Sequence, residues 1–333
     1  MVVKKAVKFL IVVLSGLAVM MAASFTVLAQ ETDEARNTLA EDIFWSPDSE
    51  YLIITGQNWY KKLPAPGQNP WLGFQTVREN QFFGGYCAET NVAAVLEDGK
   101  NVLLYDAGTL ALKHTISLDF LAQTSACSPD GRTLLISSAD DLAAYLYDSE
   151  TGEHLQTLTG YSTAAPIYSV TFSPDGENLL WHSRATFQVQ TVADGTLSEP
   201  VQFWDFVGVY ALSPDSSVLA AFLPDEDAAE HIVVFYDTET ATELGRVILG
   251  DLEINSIVFD GSGNFAILSG QTTLSRVDVS AYQLIATDTV MPGITGEEDS
   301  TDLIRKIRLS PNDHYLAVLT DTGRVMLLAF ITE

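Results

Sequence analysis

One short phrase recurs along this chain, and its spacing constrains the fold more than any other feature. Each clear copy has an apolar residue, then Ser-Pro-Asp or Ser-Pro-Asn, then an apolar run. Clear copies begin at Trp45, Cys127, Phe172, Leu212 and Leu309, and weaker copies begin at Cys87 and Phe259. The residues after the apolar position are Ser46, Ala88, Ser128, Ser173, Ser213, Asp260 and Ser310. Successive copies therefore lie 42, 40, 45, 40, 47 and 50 residues apart.

A period of this length, filled with short strands, is typical of the blades of a β-propeller. The clearest repeat covers residues 124–160, where four short apolar or alternating segments are separated by turn formers. The pattern predicts an all-β fold with one β-propeller of seven four-stranded blades over residues 30–333. The last repeat holds three strands, and an open propeller would expose an unpaired edge. We therefore expect an N-terminal strand near residues 34–40 to pair beside Val325–Phe330 and close the ring.

The repeats resemble those of the WD-repeat family over residues 40–330. The position that holds Trp-Asp in that family reads Tyr105-Asp106, Tyr147-Asp148 and Tyr236-Asp237. The family's Gly-His dipeptide is missing, so its histidine-centred network is not expected here. The Ser-Pro-Asp-Gly turns indicate a divergent, bacterial-type branch. Trp204-Asp205 is a literal Trp-Asp pair, but it precedes the first strand of a repeat, and we interpret it as a coincidence.

The N-terminus has the features of a targeting segment. Lys4, Lys5 and Lys8 precede 21 residues without a charge, Phe9 to Ala29. Residues 1–29 are interpreted as a signal peptide cut before Gln30, or as an N-terminal membrane anchor, and we favour cleavage. Membrane contact is expected through residues 9–29 alone, if they are retained. Both interpretations predict an exported protein that is secreted, periplasmic or on the cell surface.

The chain is strongly acidic, with a formal net charge of -27. Without the three N-terminal lysines, 14 cationic residues remain against 44 acidic ones, a charge of about -30. Such a surface repels phosphate backbones, so nucleic-acid binding is not expected. A basic protein or peptide is the electrostatically favoured partner. The competing explanation is that the acidity keeps an exported protein soluble.

The two cysteines, Cys87 and Cys127, occupy the same register in neighbouring repeats, where the other repeats have a core hydrophobe. We expect two buried, unreactive thiols. A disulfide is the alternative in an exported protein. It is disfavoured because equivalent points on adjacent inner strands are expected to exceed the limit of about 7 Å between Cα atoms.

A search for catalytic motifs favours a protein that is not an enzyme. The residues that could form a site are acidic side chains from the loops between strands. We single out Asp140, Asp141, Asp225 and Asp227, which could converge on a hard cation such as Ca²⁺. The alternative is a solvated acidic rim, and otherwise no cofactor is expected. An acidic, cation-assisted hydrolase or lyase is therefore the alternative function.

One segment departs from the repeat, residues 56–74, which we interpret as a long loop between the second and third strands of the first blade. It carries the predicted partner-binding residues Trp59, Tyr60, Lys61, Lys62, Trp71 and Phe74. Long loops on a rigid scaffold often bind, and Trp and Tyr are favoured interface anchors. The aromatic residues could instead fold inward. A second basic group, Arg305, Lys306 and Arg308, is not expected to form one patch, because strand alternation separates Lys306 from the arginines.

The leading function is therefore an exported, non-enzymatic binding or scaffolding propeller. It would present to a protein or peptide the face that carries the connections between second and third strands and between consecutive blades.

Overall fold

The protein folds as a series of small antiparallel sheets. The structure, a computed structural model, describes residues 26–28, 40–46, 48–56, 59–64, 72–76, 81–107, 109, 111–138, 141–159, 167–204, 207–223, 230–290 and 302–330. These residues form seven four-stranded sheets and no helix. None of their elements is a helix long and apolar enough to cross a membrane. The all-β prediction is confirmed, and the arrangement is that of a β-propeller.

The chain starts with β1 (Thr26–Leu28) and then builds one sheet, or blade, after another. Blade 1 is β2 (Ala40–Trp45), β3 (Tyr51–Gly56), β4 (Trp59–Pro64) and β5 (Leu72–Thr76). Blade 2 is β6 (Gln81–Cys87), β7 (Val92–Glu97), β8 (Asn101–Asp106) and β9 (Leu112–Ser117). Blade 3 is β10 (Ala122–Cys127), β11 (Thr133–Ser138), β12 (Ala143–Asp148) and β13 (His154–Thr159). In each blade the strands pair in chain order.

Blades 4 to 7 repeat this plan. Blade 4 is β14 (Ile167–Phe172), β15 (Asn178–Ser183), β16 (Thr186–Thr191) and β17 (Val201–Gln202). Blade 5 is β18 (Tyr210–Leu212), β19 (Val218–Leu223), β20 (His231–Asp237) and β21 (Glu243–Gly250). Blade 6 is β22 (Ser256–Phe259), β23 (Phe265–Ser269), β24 (Thr273–Asp278) and β25 (Gln283–Thr289). Blade 7 is β26 (Ile304–Leu309), β27 (Tyr315–Thr320) and β28 (Val325–Ala329), with β1 as its fourth strand.

The fourth strand of blade 7 is not the one expected. β1 pairs with β28 through Thr26–Ala329, Val27–Leu328 and Leu28–Leu327. The expectation of a strand near 34–40 at this position is therefore wrong, and residue 40 instead starts β2. The pairing strand was missed because it lies inside the apolar N-terminal run, where a strand and a targeting segment have the same composition. β1 also falls within residues 1–29, the segment interpreted as a leader.

The core lies between the blades. Apolar clusters join each blade to the next one in the chain, and another joins blade 7 to blade 1. Second strands such as β11 and β27 are buried over almost their whole length, whereas fourth strands such as β13 are mostly exposed. First strands of neighbouring blades contact one another, so they are the inner strands of the fold.

The recurring Ser and Asp stabilise the turn between the first and second strands. The Ser46 hydroxyl donates to Asp48 Oδ1 at 2.5 Å and accepts from the Tyr51 amide at 2.9 Å. Asp48 Oδ1 also accepts from the Glu50 amide. The same bonds recur in the turns that begin at Ser128, Ser173, Ser213 and Ser310, the last with Asn312 in place of Asp. These residues are structural, because their side chains bond within the turn itself.

Candidate interaction surface

The segment 56–74 is not a long loop after the second strand. β4 begins at Trp59, which pairs with Gly56, so the connection after β3 is short. Trp59, Tyr60, Lys61 and Lys62 lie in β4, and Phe74 lies in β5. The loop assignment is wrong because β4 contains lysines and a proline, which are uncommon in strands, and its pairing with β3 stabilises it. Trp71 lies outside the described residues, and the binding role of these six residues stays a prediction.

Of the four residues predicted to form a cation site, the structure describes one, Asp141. Asp141 is exposed, and its Oδ2 accepts hydrogen bonds from the Ser138 hydroxyl and the Tyr145 hydroxyl, both at 3.2 Å. Asp140, Asp225 and Asp227 lie outside the described residues. Within the described part of the chain, no group of three or more His, Cys, Asp or Glu side chains could hold a metal ion. The Ca²⁺ site therefore stays a prediction.

The cysteines form a disulfide between the inner strands of blades 2 and 3, so the expectation of two free thiols is wrong. Their Cα atoms lie 5.2 Å apart. Glycines allow this approach: a Cβ on Gly85 would lie 3.3 Å from Cys127 Sγ. A Cβ on Gly84 would lie 2.6 Å from Ser125 Oγ, which donates to the Gly84 carbonyl at 2.8 Å. The Gly-Gly pair just before Cys87 was the sequence signal for this contact.

One end of blade 4 exposes aromatic side chains. In an antiparallel blade the start of the first strand, the connection from second to third strand and the end of the fourth strand lie at the same end. Tyr168, Arg184 and Trp204 occupy these three places and form what we call the blade-4 patch. Trp204 is 77% exposed and Tyr168 is 49% exposed, and Arg184 is exposed as well. Trp204 belongs to the Trp-Asp pair that the sequence led us to interpret as a coincidence.

A packed aromatic cluster supports this patch. The buried His182 ring stacks on Phe187 with centroids 4.4 Å apart, and Tyr210 packs edge-on against both rings. Tyr168 lies 6.0 Å from His182, between centroids. Burial lowers the pKa of His182 to about 4, so the imidazole is neutral at physiological pH. The buried rings of the cluster are therefore uncharged at physiological pH. The charged residue of the patch is Arg184, which is exposed.

Comparisons with known proteins agree with this fold. The family described as WD domain, G-beta repeat matches residues 152–180. A curated chicken (Gallus gallus) protein, serine-threonine kinase receptor-associated protein, is 31% identical over 83 residues, which is 25% of this chain. The chain spans 23% of the length of that relative. Together the two matches support a relationship with the WD-repeat family.

Proposed function

We propose that this chain is an exported, non-enzymatic propeller that binds or scaffolds a protein partner through the end of the blades that carries the blade-4 patch. The observation that carries the proposal is Trp204, a large apolar side chain left mostly in water. It follows Phe203 in the chain, and the Phe203 ring packs edge-on against Phe187 of the aromatic cluster. Trp, Tyr and Arg are the residue types most enriched among interface hot spots. The patch contains one of each.

The character of the partner follows from charge. The patch is aromatic, and it belongs to a chain with a net charge of -27. Aromatic faces and acidic surroundings both attract Lys and Arg side chains. We therefore propose a basic segment of a protein as the partner, and no nucleic acid. Trp59, Tyr60, Lys61, Lys62, Trp71 and Phe74 remain proposed as a further contact region.

Family likeness supports a protein partner and does not identify it. The name of the chicken relative says that it associates with a serine-threonine kinase receptor. We take from it the coarse expectation that propellers of this kind bind proteins. Within that group we propose the divergent branch with Ser-Pro-Asp-Gly turns, because five repeats carry that turn or a close variant.

Export is supported by the disulfide, because such bonds persist mainly in oxidising compartments. The pairing of β1 with β28 favours a chain that keeps Thr26–Leu28 over one cut after Ala29. We propose that the N-terminal segment is retained as an anchor. The uncharged run ahead of β1, residues 9–25, has 17 residues, which is the lower limit of about 17 for a spanning helix.

The test is capture of partners from the envelope of the native host with three immobilised proteins: wild type, Trp204→Ala and Ile248→Ala. Ile248 is 61% exposed on the outer strand β21 and is the matched control for removing an exposed apolar group. We expect a partner recovered near stoichiometrically by wild type and Ile248→Ala and lost at least tenfold with Trp204→Ala. A parallel Trp59→Ala arm tests the first-blade region.

Two results would contradict the proposal. The first is that no protein is enriched by the wild type over a column without immobilised protein. The second is equal recovery by wild type and Trp204→Ala, which would remove the patch from the interface. Circular dichroism and the thermal midpoint of each variant establish that the substitutions leave the fold intact, as expected for exposed side chains.

A further inference from the structure

The inner strand of blade 7, β26, carries three cationic side chains that were expected to lie apart, Arg305, Lys306 and Arg308. Lys306 and Arg308 are two residues apart, so alternation along β26 puts them on one face, and a bulge between Ile304 and Lys306 interrupts the alternation at Arg305. Lys306 Nζ lies 2.5 Å from Asp42 Oδ2, and Arg308 Nη2 lies 3.9 Å from Asp42 Oδ1. The expectation that Lys306 and the arginines lie apart is therefore wrong.

The third cation is held beside them. Arg305 Nη1 donates to the Ala40 carbonyl at 3.5 Å, across the same junction. Burial lowers the pKa of Lys306, and the charge of Arg308 and, to a smaller extent, that of Arg305 act in the same direction. The three cations thus form one cluster, which we call the seam cluster, on the inner strands of the fold.

The seam cluster has more positive than negative charge. In the described part of the chain, Asp42 is the carboxylate within ion-pair distance of Lys306 and Arg308, and Arg305 has none. Among the described side chains, three cations lie against one carboxylate, an excess of two positive charges. This excess is unusual in a chain with a net charge of -27, where surface cations have many acidic neighbours available.

The cluster is open to a small ion. The side chains of Lys306 and Asp42 are each 27% exposed, and that of Arg308 is 35% exposed.

The cluster by itself is electrostatically unfavourable. Burial is the main reason that the pKa of Lys306 falls to about 8, followed by the charge of Arg308, while Asp42 opposes the shift. A bound anion would offset both the burial and the repulsion. It would also accept charge-assisted hydrogen bonds from the guanidinium groups, which suit oxyanions with two or more oxygens.

We propose that Arg305, Lys306 and Arg308, with Asp42 orienting them, form a binding site for a small dianion of the phosphate, sulfate or dicarboxylate class on the inner strands of blades 7 and 1. The charge of the ligand matches the excess of two positive charges among the described side chains. The bidentate geometry of arginine favours oxyanions over halide ions. This site is independent of the blade-4 patch and of the protein partner proposed for it.

The test is isothermal titration calorimetry of the full chain with sulfate, inorganic phosphate and succinate at low ionic strength, with chloride as a reference. We expect one site with a Kd of about 1 mM or tighter for at least one dianion. The best of the three ligands identifies the tetrahedral or the dicarboxylate class. Arg308→Gln and Arg305→Gln should each weaken binding about tenfold.

Arg246→Gln is the matched control, because it changes the net charge equally. Arg246 pairs with Glu243 at 2.7 Å on the outer strand β21. Sulfate, whose charge is constant, is used for the pH arm. Its binding should weaken between about pH 7 and pH 9.5 as Lys306 loses its proton, and Lys306→Met should bind weakly with no such dependence.

The proposal is overturned if none of the three dianions binds more tightly than chloride. It is also overturned if Arg246→Gln weakens binding as much as Arg308→Gln, since the effect would then be nonspecific screening. Thermal midpoints measured with and without each anion provide a second readout, in which the wild type is stabilised by the ligand and Arg305→Gln is not.

Discussion

Two junctions between blades both join first strands and are held by different chemistry. Between blades 2 and 3, the Cys87–Cys127 disulfide joins the inner strands and glycines bring the backbones close. Between blades 7 and 1, Lys306 bonds Asp42, and the Trp45 indole donates to the Arg308 carbonyl at 3.1 Å. The first junction is covalent, and the second depends on charge. Redox conditions should therefore act on one junction, and pH and salt on the other.

A side-chain hydrogen bond links the charged junction with two others, those between blades 3 and 4 and between blades 6 and 7. The residue four places before the end of the first strand donates from its side chain to a carbonyl of the next blade. Gln123 donates to the Ile167 carbonyl, Asn255 donates to that of Ile304 at 2.7 Å, and Arg305 donates to that of Ala40. Blade 1 thus meets blade 7 as blade 4 meets blade 3. At the disulfide junction the corresponding residue is Phe83, whose side chain has no hydrogen-bond donor.

The largest effect should come from removing the disulfide. Its loop spans 40 residues, for which chain entropy gives about 4 kcal/mol of stabilisation. We expect the Cys87→Ala/Cys127→Ala variant to lose about 3–4 kcal/mol of unfolding free energy in urea. A reductant should destabilise the wild type and leave the variant unchanged. Equal stability of oxidised and reduced wild type would contradict this account.

The next effect concerns the close approach at the same junction. Gly131 has a φ of 71°, and a Cβ there would lie 2.5 Å from the Glu89 amide nitrogen and 2.6 Å from that of Ala88. Gly131→Ala should cost about 3 kcal/mol, from backbone strain plus the clash. Gly250→Ala is the control, since its φ is 61° with nothing within 4 Å, and it should cost about 1 kcal/mol. Equal costs in urea unfolding would remove the inter-blade clash from the explanation.

At the charged junction, Asp42→Asn should cost about 1–2 kcal/mol at pH 7, because Lys306 loses its counter-ion in a partly exposed place. The pKa of Lys306 is about 8 in the folded chain, against 10.5 for an unperturbed lysine. Between these values the unfolded chain binds more protons, so the free energy of unfolding rises with pH.

In Asp42→Asn the free energy of unfolding should begin to rise at a lower pH, because the pKa of Lys306 falls further without Asp42. Lys306→Met should abolish the part of the rise that is due to Lys306. Urea unfolding measured from about pH 6 to pH 10 tests all three proteins. A rise of the same size in Lys306→Met and in wild type would show that other groups cause it.

The smallest effect should come from β1. A chain that begins at residue 24 should be more stable than one that begins at residue 30 by about 1–2 kcal/mol, because three residue pairs with β28 are added. Urea midpoints of the two chains measure the difference. Identical midpoints would show that the three-residue strand does not stabilise blade 7. They would favour the interpretation that the chain is cleaved after Ala29.

Local chemistry explains why so much of the fold was predictable. The turn that begins at Ser46 needs residues within five positions of one another, so its repetition in the sequence marks the inner strands of blades 1, 3, 4, 5 and 7. The strand β4 was missed because its stability comes from the ladder with β3 and not from its own composition. Trp204 was missed because exposure depends on the neighbouring strands, and no short pattern records it.

The sequence by itself determined the number of repeats, the strands within most of them and the turns that connect them. These depend on alternation, turn residues and hydrogen bonds between near neighbours in the chain. The tertiary structure alone decided that Cys87 meets Cys127, that Lys306 meets Asp42 across 264 positions, and that β1 pairs with β28. Such contacts depend on how closely two blades approach and on where a bulge shifts the register. Both are set by packing between blades that are distant in the chain.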